Sequence, residues 1–395
     1  MNSYSELASF ASYPITSLPV EWHIEAEGVR LIWDDQHVSL LHTFWLRDNC
    51  PCSECVSPVT REQLFEICDA PADLHIRDVS LTAVAEQQRL TICWSDGHVS
   101  RMHPGWLRAH CYADAARQQR VSVQHTWDRQ VINQHLPQHD YQQVMTNNNA
   151  LLTWLKTQHQ WGIAMIRNSP TEAGSLNHLA QRIGMIRETN FGRLFDVISR
   201  PDANSAAYTT VRLPLHTDLP TRELQPGLQF LHCLRNDAEG GESILVDGFR
   251  VAADLRQESP ELYQALTLIP ADFYNKDRHS DYRFRAPILQ TDADGELTEV
   301  RVANFLRGPL DVSANDVELF YRAYRRFIEK TRDSRYQLYF RLDAGDTLVF
   351  DNRRVLHARN AFDLKSGGRH LQGCYVDRDE LLSRIRILQR QQTVE

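Results

Sequence analysis

Leu213-Pro214-Leu215-His216-Thr217-Asp218-Leu219-Pro220 is the stretch on which the fold turns. Pro214 and Pro220 bracket residues 215–219, which read as a short extended piece ending in a turn. On an extended segment, side chains two apart leave the same face, so His216 and Asp218 can take neighbouring positions on one metal ion. Thr217 points the other way.

Working outward, residues 231–233 read as a buried strand, followed by Gly240-Gly241-Glu242-Ser243 and a strand through Val246. Residues 346–350 form a further strand, which leads through Asp351-Asn352 to His357. Two histidines and one carboxylate leave coordination positions open for water, co-substrate and oxygen, the set used by non-haem Fe(II) oxygenases. Arg369 lies twelve residues beyond His357 and opens a strand over 371–376. A guanidinium fork matches a carboxylate bidentately, which a lysine does not. The ordered series His216, Asp218, Ser243, His357, Arg369 resembles the Fe(II)/2-oxoglutarate dioxygenases of the taurine dioxygenase class. That resemblance implies Fe(II) on His216, Asp218 and His357, with Arg369 and Ser243 on the far carboxylate of 2-oxoglutarate.

Composition suits an enzyme of two domains: 395 residues, 42% hydrophobic, with a net charge of −8. The acidic balance and the lack of a Lys/Arg run argue against nucleic acid or an anionic membrane as partner. The first twenty residues hold no Lys or Arg and no apolar core, and no stretch reaches the roughly 18 apolar residues of a membrane span. A cytoplasmic protein with reduced cysteines is expected.

Three cysteines cluster in Cys50-Pro51-Cys52-Ser53-Glu54-Cys55. Thiols this close seldom reach disulfide geometry, and zinc is the better reading. A fourth ligand must come from elsewhere, and an internal repeat suggests where. Residues 32–50 align without gaps to residues 93–111, with ten of nineteen positions identical, among them Trp33/Trp94, Asp35/Asp96, His37/His98 and Arg47/Arg108. Two such copies stacked about a pseudo-twofold would turn the second toward the cysteines of the first. His98 is then the preferred ligand, with His37, His103, His110 and Cys111 as rivals. A closed Cys₃His site is structural, because it has no open position.

The segment 45–55 and the turn 94–98 resemble the N-terminal zinc domain of the γ-butyrobetaine/trimethyllysine dioxygenase family, whose zinc ligands match Cys50, Cys52, Cys55 and His98. The likeness continues through Leu194-Phe195-Asp196-Val197, Pro226-Gly227-Leu228-Gln229, Phe350-Asp351-Asn352-Arg353 and Arg369-His370-Leu371-Gln372-Gly373. It implies a double-stranded β-helix (jelly-roll) catalytic domain with flanking helices behind a small zinc-binding β domain. It also implies hydroxylation of γ-butyrobetaine at C3 to L-carnitine, coupled to decarboxylation of 2-oxoglutarate to succinate and CO₂. Ascorbate as reductant and a homodimer come with the same likeness. The alternatives are another trimethylammonium substrate, such as trimethyllysine or a phosphonate, and, more distantly, a non-catalytic zinc-and-cupin protein.

Substrate choice rests on aromatic residues. Phe191 and Phe195, four apart, share a face, and Tyr375 follows Arg369 by an even six residues, so both point into the barrel. With Tyr208 they match the family's cage for a trimethylammonium group, a cation–π arrangement worth about 0.5–2 kcal/mol per ring. Animal members carry Tyr and Trp at the two phenylalanine positions and Tyr where Leu219 stands. The run Leu219-Pro220-Thr221-Arg222-Glu223-Leu224 resembles bacterial members instead. Asn304 and Ser205 match the positions for the substrate carboxylate loosely. The expected organisation is a zinc domain over 1–120, a polar linker over 121–145 and the oxygenase domain over 146–395. Apolar stripes predict helices around Leu151, Leu176, Phe320 and Leu381.

Overall fold

The protein is described from a computed structural model, which covers residues 10–84, 87–120, 124–199, 209–277, 279–363 and 365–394. Tyr208 and Ser205 lie outside the described residues. The chain forms two compact units, Met1–Ser122 with Arg390–Glu395, and Val123–Gln389.

In the first unit each copy of the repeat contributes a hairpin and a short helix. Strands Gly28–Trp33 and Val38–His42 lead into helix Thr43–Asp48, and strands Gln87–Trp94 and Val99–Met102 lead into helix Pro104–Ala109. Trp33, Leu41 and Leu46 bury together with Trp94, Met102 and Leu107 in one core. The Trp45 and Trp106 rings stack 5.5 Å apart.

The second unit is mainly sheet with flanking helices. Its seven-stranded sheet runs Phe195–Val197, Arg369–Val376, Leu228–Asn236, Thr347–Asp351, Ile163–Arg167, Gln138–Asp140, with Ile186–Arg187 also paired to Arg369–Val376. A four-stranded sheet runs Leu213–His216, Val355–Arg359, Ser243–Asp247, Leu338–Phe340. Side-chain alternation assigns the two faces of each strand. Phe230, Cys374 and Val376 pack outward against helices Asn148–Trp161, Ser175–Gln181 and Arg378–Val394. Leu371, Leu348, Leu245 and Val355, drawn from both sheets, share an inner core. Val246 and Leu356 face helices Gly248–Glu258, Pro260–Leu268 and Ala314–Arg332. The four helices expected from apolar periodicity are present.

Of the stretch 121–145, expected as a linker, residues 124–145 belong to the second unit. It holds helices Arg129–His135 and Tyr141–Thr146 and the strand Gln138–Asp140, which pairs in parallel with Ile163–Arg167. Its Gln- and His-rich composition conceals three anchors, Trp127, Ile132 and Val144, all fully buried. Trp127 also donates its backbone N–H to Asp247 and its indole N–H to the Trp161 carbonyl. Among the described residues, no helix is long and apolar enough to cross a membrane.

Candidate active site and metal centres

His216 ends the first strand of the four-stranded sheet, and its register partner on the next strand is His357. Pro214 is tolerated because this is an edge strand. The strand stops at His216 and the chain turns through Leu219, a buried residue at φ 53°. Asp218 therefore lies just beyond the strand, yet on the same side as His216. Its Oδ1 is 3.2 Å from His216 Nε2 and 3.6 Å from His357 Nε2. The two imidazoles sit 4.1 Å apart, centroid to centroid.

Two of these three side chains, His216 and Asp218, are held from behind, while His357 Nδ1 is buried without a partner among the described residues. His216 Nδ1 lies 2.8 Å from the Pro214 carbonyl, an acceptor, so the N–H belongs there and Nε2 keeps its lone pair for the centre. Asn352 accepts the Asp218 N–H and returns its amide to the Asp218 carbonyl, fixing the backbone on both sides. Tyr375 donates its hydroxyl to Asp218 Oδ2 at 2.7 Å, leaving Oδ1 to face the histidines. Thr217, fully buried on the opposite face, bonds Gln225, which reaches Glu299. Burial pushes the Asp218 carboxyl up, but His357, His216 and Tyr375 outweigh it and hold the group well below the usual carboxylate range. Burial takes the His357 imidazole down to about 3. An ionised carboxylate and a neutral ring are the forms that bind a cation.

Arg369 opens the strand that ends in Tyr375 and Val376. The residue is 8% exposed; its guanidinium lies over the Phe362 ring at 5.3 Å and leaves Nε without a partner among the described residues. Burial and the neighbouring Arg359 lower it to about 10, so it stays cationic at neutral pH. A buried cation with an unmet donor is costly unless an anion joins it. Gly241, at φ +71°, makes way for it: a Cβ there would stand 3.2 Å from Arg369 Nε. Ser243 is buried and shares its strand face with Leu245, the register partner of His357.

Three of the four expected cage aromatics form a continuous run. The Phe191 and Phe195 centroids are 6.0 Å apart, and those of Phe195 and Tyr375 are 5.2 Å apart. Gly373, the register partner of Phe195, has no side chain because the Phe195 ring occupies that space; a Cβ would come 2.5 Å from its Cε2. Asn304 begins a short 3₁₀ turn at the surface. Its neighbour Phe305, absent from the sequence reading, reaches the His216 ring edge-on at 5.2 Å. The Tyr375–Asp218 bond was equally illegible, since spacing gives a direction but not the reach of a hydroxyl. Arg359, whose guanidinium donates to the carbonyls of Thr209 and Val211, carried no signal beyond its place two residues after His357.

In the first unit, His98 Nε2 lies 3.2 Å from Cys50 Sγ and 3.7 Å from both Cys52 Sγ and Cys55 Sγ. The S···N edge of a tetrahedral zinc site is about 3.5 Å, from Zn–S near 2.3 Å and Zn–N near 2.0 Å. Burial pushes the Cys50 thiol up to about 12. Arg47 donates to Cys55 Sγ and stacks over Phe65. The rivals are engaged elsewhere: His37 with Cys111, His103 as the acceptor capping helix Pro104–Ala109, and His110 against Trp106.

Comparison with known proteins now adds to this geometry. Residues 111–375 match the taurine catabolism dioxygenase TauD, TfdA family, and residues 20–84 match the γ-butyrobetaine hydroxylase-like N-terminal family. A γ-butyrobetaine dioxygenase from Pseudomonas sp. (strain AK-1) is 51% identical over 97% of this chain and 100% of its own. This chain belongs to the γ-butyrobetaine dioxygenase branch of the TauD, TfdA family. The Homo sapiens γ-butyrobetaine dioxygenase is 31% identical over 92% of this chain and 95% of its own. The Mus musculus mitochondrial trimethyllysine dioxygenase is 30% identical over 97% and 93%. Among solved structures, an asparagine oxygenase in complex with Fe(II), hydroxyasparagine and succinate is similar over 60% of this chain and 93% of its own, at TM-score 0.48 and 17% identity. As a member of this branch, the chain is a dioxygenase.

Proposed function

We propose that this dioxygenase hydroxylates γ-butyrobetaine at C3 to L-carnitine, while 2-oxoglutarate is oxidatively decarboxylated to succinate and CO₂. The observation that carries the reading is the run of Phe191, Phe195 and Tyr375 rings reaching, through the Tyr375 hydroxyl, to the carboxylate of the His216–Asp218–His357 cluster. Full-length similarity to γ-butyrobetaine dioxygenases supports it.

The cluster fits Fe(II): two imidazoles and one carboxylate offer ligand atoms within 4.8 Å of one another. Iron bound there supplies the oxidising power from O₂ and the keto acid. The remaining work falls to the chain. Arg369 and Ser243 take the distal carboxylate of 2-oxoglutarate, and the orphan Nε of Arg369 is answered by that anion. Phe191, Phe195, Tyr375 and Tyr208 accept the trimethylammonium group, whose methyls need apolar contact and offer no donor. Leu219 and Asn304 border the rest of the substrate. Positioning one carbon beside the metal is the catalytic contribution of these side chains.

Cys50, Cys52, Cys55 and His98 hold a structural zinc in a domain over 1–120, and their thiols suit a reducing compartment such as the cytoplasm. Ascorbate serves as reductant, and the functional form is a homodimer. The deciding experiment is a panel of trimethylammonium compounds assayed for succinate release. γ-Butyrobetaine should turn over, with γ-aminobutyrate far slower. Turnover of trimethyllysine without butyrobetaine would refute the substrate assignment. Elemental analysis should find about one zinc per chain, lost in Cys52→Ser.

A further inference from the structure

The duplication in the N-terminal unit exchanges parts between its copies. The turn of the second copy meets the cysteine that closes the first, with His98 Nε2 3.2 Å from Cys50 Sγ. The reciprocal contact is also made: His37 Nε2, from the first copy, lies 3.3 Å from Cys111 Sγ, which closes the second. Equivalent residues surround both. Trp33 donates its indole N–H to Ser39 at 3.0 Å, and Trp94 donates to Ser100 at 2.8 Å. The carboxylate of Asp35 receives the His37 N–H at 3.1 Å, and that of Asp96 receives the His98 N–H at 2.9 Å. Arg108 pairs with Asp35 as Arg47 pairs with Asp96. Ser39 Oγ is 3.2 Å from Cys111 Sγ, and Ser100 likewise bonds Cys50.

The correspondence extends past the cysteines, where sequence identity ends. Val56 N–H bonds the Cys52 carbonyl at 2.9 Å, and Arg117 N–H, in the same relative place, bonds the Ala113 carbonyl at 2.9 Å. Cys52 and Ala113 are both half-buried, and Cys55 and Ala116 are both buried. Ala113 and Ala116 thus occupy, at the repeat's offset, the positions equivalent to the second and third thiols of the first site. Each lacks one atom, the sulfur.

We propose that His37 and Cys111 are the surviving half of a second tetrahedral metal site, and that sulfur at positions 113 and 116 completes it for a thiophilic divalent cation, zinc or cadmium. In the natural chain one thiol and one imidazole stop two ligands short of a closed site, and the pair rests as a part-buried S···N contact. The turn that presents the histidine and the serine beside the sulfur are already in place. The inference rests on the zinc reading of Cys50, Cys52, Cys55 and His98.

The test counts metal in three purified full-length proteins: wild type, Ala113→Cys/Ala116→Cys, and the same double variant with His37→Ala. The double variant should carry one zinc per chain more than wild type, and the triple variant should return to the wild-type count. Cobalt loading of the double variant should double the thiolate-to-metal absorption. A wild type without zinc would refute the first site and, with it, the ground of this inference. A folded, active double variant with the wild-type metal count overturns the proposal. A double variant that does not fold with zinc present also overturns it, since closing the site should raise thermal stability. Ala116→Cys alone adds one buried sulfur and should take up one extra cadmium; no extra cadmium also overturns it.

Discussion

Tyr375→Phe separates two tasks carried by one side chain. The ring stays, 5.2 Å from Phe195, so the aromatic wall of the cage survives. The hydroxyl goes, and with it the 2.7 Å bond to Asp218 Oδ2. A hydrogen bond to a charged acceptor is worth about 1.5–3 kcal/mol, which converts to roughly ten- to hundredfold in metal affinity. The side chain of Asp218 is 22% exposed, so water can replace part of the lost donor, and the low end, about tenfold, is expected. The assay is titration of the apoprotein with Co(II) or Fe(II), followed by kinetics at saturating metal. The metal dissociation constant should rise about tenfold, while KM for butyrobetaine shifts less than about threefold. Unchanged metal affinity beside a large rise in substrate KM would refute the reasoning, because it would make Tyr375 a cage residue only.

Three other outcomes are expected. Arg369→Lys loses the bidentate fork at about 2–3 kcal/mol, raising KM for 2-oxoglutarate roughly 30- to 150-fold while butyrobetaine affinity holds; equal losses for both would deny Arg369 its specific role. Gly373→Ala drives a Cβ into the Phe195 ring, and displacement of that ring should weaken butyrobetaine binding by about tenfold in calorimetry, with 2-oxoglutarate binding unaffected. His103, held down to about 4 by burial and by Arg89, is more easily protonated in the unfolded chain, where its value is 6.5. The stability it provides is complete above about pH 6.5 and falls away toward pH 4, so the thermal midpoint of wild type should drop across that window more than that of His103→Asn.

The parts of this molecule legible in sequence are those governed by periodicity and by repetition. Even spacing put Arg369 and Tyr375 on one strand face, and both are buried on the inner side of that strand. The repeat singled out His98, and its Nε2 lies 3.2 Å from Cys50 Sγ. What escaped was set by contacts between distant segments. Trp127 made a polar stretch part of the core through bonds to Asp247 and Trp161, and nothing local to it signals either partner. Phe305 closes on His216 from a turn with no strand or helix pattern around it. The edge-on ring and the buried tryptophan are products of tertiary packing, which local periodicity does not encode.

The strand that carries His216 lies at the rim of its sheet, where open backbone groups invite pairing with a second chain. Pro214 has no N–H to offer an incoming strand, and its carbonyl is already engaged by the His216 imidazole. The ligand histidine thus also caps the rim against self-association. Losing it would release that carbonyl, and His216→Ala is expected to become more prone to clumping at high concentration as well as inactive. The residue placed to bind the metal would also close this strand edge to a further strand.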